Sequence, residues 1–404
     1  MAKRIMIIDH FSQTPEEPGN NRFIYLATIL SREGFDVEVV TTDFSHKNKK
    51  TRIRNKKSLL EVPYKFQMLQ EPGYYKNVSL RRFYSHYIFG KNLKKYLKTV
   101  KKPDLIYIAV PSLNVGSVCV KYCKKNKIPL ITDIQDLWPE AFKLVFNIPV
   151  LSYIIFAPMM HIENNIYKES KRIVAVSETY KLRGLKNCIN DSNGMCVYLG
   201  TDLEEFDKNV NNIIVKKNED ECWITYVGTL GISYNIKIII DALDALSDRL
   251  PQNVIFKVFG DGPQMEQFEK YAIKKGVRAE FKGRIDYPHM VAYLSKSDIA
   301  VNPIAKGAAQ SIINKHADYA AAGLPVVNTQ ECEEYRSLIN KYKCGINCGV
   351  DSISDVADAI EKLINDKELR KKMGWNSRRM AEERFNRSYT YMKIVDEIER
   401  ICRR

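Results

Sequence analysis

Short apolar runs separated by helical stretches recur along almost all of this 404-residue chain, and that rhythm limits its folds more than any other feature. Runs at Arg4–Ile8, Asp36–Thr41, Leu105–Ala109, Leu130–Thr132, Arg172–Val176 and Met195–Tyr198 are near-continuously apolar. They read as strands buried on both faces, as a parallel sheet covered by helices requires. Helical patterns such as Asn21–Glu33 and Asn114–Lys125 lie between them, giving βαβ units and an α/β class. Around Asp207–Glu221 the pattern gives way to a polar, Asn-rich stretch, which reads as a linker. It restarts with strands at Trp223–Val227, Ile255–Phe259, Ala279–Lys282, Ile299–Asn302 and Pro325–Asn328. Helices are expected around Ile236–Arg249, Gln264–Lys275 and Pro288–Ser295. The prediction is two doubly wound, Rossmann-like domains facing a cleft. The first spans 1–206, a linker 207–221 follows, the second spans 222–384, and a helix over 385–404 closes the chain with the option of returning to the first domain. Ligands of such sheets bind beyond the carboxyl ends of the strands, here in the expected cleft.

At 45% apolar and 27% charged residues, the chain is neither collagen-like, coiled-coil nor wholly disordered. Nine cysteines form no CxxC pair and six histidines supply no HExxH, so reduced thiols and no metal site are expected. The apolar stretch in MAKRIMIIDH is too short for a signal peptide. The longest uncharged run, Leu144–Met160, has 17 residues with Asn147, Pro149 and Pro158 inside it. A membrane-spanning helix wants about 20 apolar residues, so this is a core or interfacial segment. A soluble or peripheral protein is the expectation.

Charge is concentrated. Between Phe44 and Lys102 there are 17 Lys/Arg against Glu61 and Glu71, an excess that equals the whole chain's formal +15. Ten aromatic residues share the segment, among them Phe44, Tyr74, Phe83, Tyr84 and Tyr87. Basic residues interleaved with rings suit an anionic membrane surface, where each cation is worth about 1 kcal/mol. They also suit nucleic acid, or a plain solvated face.

No GxGxxG opens either half. After the first strand, DHFSQTPEEPGNNR ends in Gly19, Asn20, Asn21 and Arg22 at a helix start, a turn that can face an anion or hydroxyl. The second half places three glycine turns at successive strand ends: Gly228-Thr229-Leu230, Gly260-Asp261-Gly262 and Gly283-Arg284-Ile285. Their amides can approach a diphosphate closely because glycine has no side chain. In the stretch from Ser311 to Val327, a helix would put Lys315 and Asp318 on one face, beside Asn314. The lysine can neutralise phosphate while the carboxylate holds ribose hydroxyls.

The ordered set YVGTLG, FGDGP, FKGRI and SIINKHADYAAAGLPVV resembles the donor domain of the retaining glycosyltransferases of family 4, with a GT-B fold. VSETY at Ser177 and YLGTD at Tyr198–Asp202 match its markers before the linker, and DIQDLWPE (Asp133–Glu140) resembles bacterial enzymes of capsule or O-antigen synthesis. The resemblance implies a UDP-sugar donor, possession of no cofactor or metal, and transfer of a sugar, a HexNAc among the candidates, to a lipid-linked glycan. Lys315 and the Gly228–Leu230 amides would stabilise the leaving diphosphate, with Gln310, Asp136 and Glu140 as further catalytic candidates. The family's glutamate pair falls on Gln310 and Asp318, its Arg/Lys pair on Thr229 and Tyr234, and its His on Gln135. The implied location is the cytoplasmic face of the cell membrane, with the 44–102 segment docked on anionic lipid and no nucleic acid partner. A non-catalytic nucleotide-sugar-binding subunit and a nucleic-acid-binding protein are the alternatives.

Overall fold

A computed structural model describes residues 2–17, 19, 21–54, 59–77, 79–138, 149–186, 188, 194–251, 253–308 and 311–403. The chain divides into two compact units, one of residues 1–197 with 391–404 and one of residues 198–390.

The first unit is built on seven parallel strands: β1 (Arg4–Ile8), β2 (Asp36–Thr42), β5 (Lys65–Leu69), β6 (Leu105–Val110), β7 (Leu130–Ile134), β8 (Arg172–Ala175) and β9 (Gly194–Cys196). Their order is β5-β2-β1-β6-β7-β8-β9. Two short strands, β3 (Phe44–Ser45) and β4 (Lys50–Thr51), pair separately as an antiparallel hairpin. The central strand is apolar throughout because both its faces are covered, and Ile5, Met6, Ile7 and Ile8 have no exposed surface. The last helix, Met392–Arg403, supplies Ile394, Val395 and Ile398 to this unit's core beside Phe23, Leu26 and Val39. Each such side chain contributes roughly 1.5–3 kcal/mol by leaving water.

The second unit repeats the plan with six parallel strands: β10 (Cys222–Val227), β11 (Val254–Phe259), β12 (Ala279–Phe281), β13 (Ile299–Asn302), β14 (Val326–Asn328) and β15 (Gly345–Asn347). The order β12-β11-β10-β13-β14-β15 is that of a dinucleotide-binding sheet, reversing between β10 and β13. Both units are therefore doubly wound, as the apolar rhythm predicts.

Three local expectations need correction. Residues 207–221, read as a linker, begin inside the helix Leu203–Asn212, which starts where Asp202 accepts from the Glu205 amide. The strand β5 lies within the basic segment, and β15 is only three residues long; neither was expected. Among the described residues no helix is long and apolar enough to cross a membrane. The uncharged run Leu144–Met160 enters the helix Pro149–Glu169, where Phe156 and Met159 pack with Trp138.

Candidate functional site

In the second unit the three glycine turns are stitched together by their backbones. The Gly228 amide donates to Phe259 (2.9 Å), the Leu230 amide to Asp261 (3.0 Å) and the Gly260 amide to Gly283 (2.8 Å). A Cβ on Gly260 would stand 1.7 Å from the Gly228 carbonyl oxygen, and one on Gly262 would stand 2.3 Å from that of Leu230. These two glycines are thus required by backbone packing before any ligand is considered. Leu230 is fully buried, Thr229 and Arg284 are exposed, and the Asp261 carboxylate accepts from the Gly262 amide at 2.7 Å. Ile285, half-buried, continues the third turn.

Lys315 lies at the start of the helix Asn314–Ala321 and is only 7% exposed. Its Nζ stands 4.2 Å from the Tyr226 ring centre and 4.4 Å from that of Tyr234. A Cβ on Gly228 would be 3.3 Å away, so the ammonium faces that turn. Among the described residues Nζ has no hydrogen-bond partner, and burial drives its pKa well below the ordinary lysine value. An amine buried between two ring faces has the chemistry to pair with an anion, which would offset the cost of burying its charge. Tyr234, at a position where the family resemblance expects a basic residue, instead walls this cation.

One turn further along, the Asp318 carboxylate accepts from Tyr287 Oη at 3.0 Å, and that hydroxyl lies 2.8 Å from Thr201 Oγ1. Burial raises the Asp318 carboxyl to about 6, against the lowering effect of Tyr287, Arg387 and Thr201. Sequence reading missed Tyr287 and Thr201, although Thr201 belongs to the quoted YLGTD motif. Asn314 is exposed beside Lys315. Gln310, Glu140 and Asn20 lie outside the described residues.

The first unit corrects a prediction. Arg22, expected to serve an acceptor-side loop, is 3% exposed and points inward. Its Nε donates to Asp133 Oδ2 at 2.7 Å, and its Nη1 donates to the Val197 carbonyl and to Tyr391 Oη. Tyr107 Oη and Gln135 Nε2 complete the shell of Asp133, at 2.7 and 2.6 Å. Asn21 precedes the helix Arg22–Arg32 and donates to the Thr14 carbonyl, while Gly19 has φ +142°, and a Cβ there would meet the end of the Gln13 side chain. Asp136 accepts from the Leu137 amide at 2.9 Å, and burial raises its pKa.

Beyond the carboxyl ends of β1, β5, β6 and β7 lies a cluster that sequence reading did not assemble. His10 Nε2 is 2.9 Å from Glu71 Oε2 and its Nδ1 2.7 Å from Ser112 Oγ, while Ser85 donates to Glu71 Oε1 at 2.6 Å. Burial opposes the Glu71 charge, but His10, Ser85 and Thr42 hold its carboxyl below the ordinary value. His86 stacks toward Trp138, with ring centres 6.1 Å apart, and Arg82 lies 4.6 Å over the Trp138 ring. Arg82 and His86 are four apart on the helix Leu80–Thr99, a same-face spacing the sequence does display. His10, Glu71 and His86 are near enough to share a metal ion. Both His10 nitrogens are already hydrogen-bonded and Arg82 Nε lies 3.4 Å from His86 Nε2, so the set fits a hydrogen-bond network better than a second cation.

Residues 19–205 match the family model Glycosyltransferase Family 4, and residues 207–380 match the model Glycosyl transferases group 1. An uncharacterized glycosyltransferase of Methanocaldococcus jannaschii is 27% identical over 243 residues, which is 59% of this chain and 60% of the relative. The chain thus spans about 60% of the length of the curated relatives it matches. Among solved structures, sucrose-phosphate synthase from Thermosynechococcus elongatus superposes with a TM-score of 0.73 at 17% identity over 99% of both chains. Anabaena HepE, solved in complex with UDP, gives 0.69 at 16% identity over 98% of this chain and 99% of its own. The two family matches fall one on each parallel sheet: the first half of the chain matches a Glycosyltransferase Family 4 domain, the second half, with its three glycine turns, matches a glycosyl transferases group 1 domain, and the chain has the GT-B fold of the glycosyltransferases.

Proposed function

We propose that this protein transfers a sugar from a UDP-sugar, with retention of configuration, to a lipid-linked glycan in the synthesis of a cell-surface polysaccharide. One observation carries the reading: the buried Lys315 ammonium, without a hydrogen-bond partner among the described residues, faces the Gly228 turn between two tyrosine rings. In this reading the donor diphosphate takes the Lys315 charge and the Gly228–Leu230 amides, and Asp318 accepts the ribose hydroxyls. As the bond to the anomeric carbon lengthens, negative charge grows on the diphosphate, where a desolvated cation stabilises it most. Lysine and amides supply that potential, so the reaction needs no metal and no resident cofactor. The UDP complex of Anabaena HepE supports the choice of base. A HexNAc is the favoured sugar on the DIQDLWPE resemblance.

The helix Leu80–Thr99 supports the membrane part of the reading. Leu80, Phe83, Tyr84 and Tyr87 are exposed on it, followed by exposed Lys91, Lys94, Lys95 and Lys98. Rings and lysines on one stripe suit the headgroup region of an anionic leaflet, which would place the enzyme at the inner face of the cell membrane. Of the ten rings in the segment, Phe44, Tyr64, Tyr74 and Phe89 are buried and do not contribute.

Calorimetric titration with UDP, with GDP, ADP and a DNA duplex as controls, tests the donor reading. Micromolar UDP binding lost in Lys315→Ala is the expected result. Silent UDP together with salt-sensitive DNA binding would sink it and favour a nucleic-acid function. UDP binding without turnover of any lipid-linked acceptor would favour a non-catalytic binding subunit.

A further inference from the structure

Basic side chains of the first unit converge around one phenol ring. Lys49 Nζ is 4.7 Å and the Arg82 guanidinium carbon 5.5 Å from the centre of the Tyr74 ring. His46 Nδ1 lies 3.5 Å from Lys49 Nζ, and His86 Nε2 lies 3.4 Å from Arg82 Nε. Among the described residues no carboxylate oxygen comes within 4.0 Å of Lys49 or Arg82. The nearby Glu71 is taken by His10 and Ser85, and Asp136 by the Leu137 amide. Burial lowers the pKa of both cations, and the field of Arg82 lowers Lys49 further.

Arg82 donates to the Asn77 carbonyl and feels the Glu71 and Asp136 charges from a distance, and Lys49 donates to Asn77 Oδ1, but with no carboxylate in contact among the described residues the two cations are placed to take an anion between them. The surroundings fit one. Arg82 sits in the first turn of the helix Leu80–Thr99, which carries no acidic residue there and presents the positive end of its dipole. Trp138 and Phe11 flank the guanidinium, giving the anion an aromatic wall for whatever it is esterified to. The group lies on the side of the sheet where β1 and β7 end, marked by His10 and Trp138.

We propose that Lys49 and Arg82 seat the phosphate or diphosphate ester of the acceptor, with Trp138 beside the esterified group. The inference rests on the glycosyltransferase reading and adds that the acceptor is recognised by its anion in the first unit, apart from the Lys315 donor site.

The test uses the full chain, with the donor site filled by excess UDP, titrated with farnesyl diphosphate, farnesol and inorganic pyrophosphate. Wild type, Lys49→Gln/Arg82→Gln and the charge-keeping Lys49→Arg/Arg82→Lys variant are compared. The expected result is farnesyl diphosphate binding weakened at least about tenfold in the neutral variant and largely kept in the charged one. Farnesol should bind none of them, and pyrophosphate should compete. Equal affinity of the neutral variant for farnesyl diphosphate, or farnesol binding as well as the diphosphate, overturns the proposal. So does a loss confined to phosphatidylglycerol vesicles, which would assign the cations to bulk lipid headgroups. Unchanged UDP affinity reports that the variants are folded; if the double variant loses it, Lys49→Gln alone serves, because Lys49 lies outside the helices and the sheet. Absence of UDP binding in wild type sinks the donor reading, while the farnesyl diphosphate comparison, run without UDP, still decides this one.

Discussion

Arg22 and Asp133, 111 residues apart in the chain, form an ion pair at 2.7 Å with side chains only 2% and 0% exposed. Truncating one partner leaves the other charged and out of water, which costs about 3–5 kcal/mol. Arg22→Met should therefore lower the urea midpoint of the first unit sharply, whereas Arg22→Met combined with Asp133→Leu should recover part of the loss. A single variant as stable as wild type would mean that Asp133 finds another cation or a proton.

Lys315 carries an opposite prediction for stability and binding. Its burial without a hydrogen-bond partner destabilises the unliganded protein, so Lys315→Met should raise the thermal midpoint. The same change should weaken UDP by about 1.5–3 kcal/mol, because a charge-assisted contact is lost. Thermal shift with and without UDP reads both effects. A midpoint lowered in the absence of nucleotide would show that the ammonium is structurally satisfied.

Asp318 gives a pH signature. Its folded carboxyl sits near 6, above its ordinary value of 3.8, so in the folded protein it holds a proton that the unfolded chain has released. The stabilisation is complete below the unfolded value and disappears as pH rises through about 6, a change of up to about 3 kcal/mol. Urea titrations between about pH 4 and 7 should show this slope flattened in Asp318→Asn. UDP affinity should run the other way, falling as pH drops through about 6, because the carboxylate is the better ribose acceptor. Identical pH profiles for wild type and variant would remove Asp318 from both roles.

Gly260 and Gly283 separate packing from conformation. Both have positive φ, but a Cβ at Gly260 collides with the Gly228 carbonyl at 1.7 Å, whereas nothing lies within 4 Å at Gly283. Gly283→Ala should cost only the roughly 1–2 kcal/mol of a left-handed residue. Gly260→Ala must also separate β10 from β11 and should remove soluble folded protein or UDP binding altogether. Comparable melting curves for the two variants would contradict the packing argument.

The fold was legible where physics is local. β1 could be read to its last residue because Ile5–Ile8 is apolar without interruption, and β10, β11 and β13 because each carries a single polar or charged residue in an otherwise apolar run. β5, with the sequence KFQML, carries a lysine and a glutamine at the edge of its sheet, so a run of surface charge conceals it. The helix Asn314–Ala321, which carries Lys315 and Asp318, was legible in the stretch from Ser311 to Val327. Arg22 was misread because its partner Asp133 is on the distant strand β7, and a basic residue after a Gly-Asn turn looks like a ligand contact. The His10–Glu71–Ser112 bonds join three strand ends far apart in the chain, and no periodicity announces such a meeting.

The helix Met392–Arg403 belongs to the first unit although all of the second unit precedes it in the chain. During synthesis the ribosome therefore releases the first sheet early but withholds Ile394, Val395 and Ile398, which its core awaits, until residues 198–390 have emerged. The second unit is free to finish folding first, and the nascent first unit must keep the apolar face of its helix Arg22–Arg32 from aggregating in the interval.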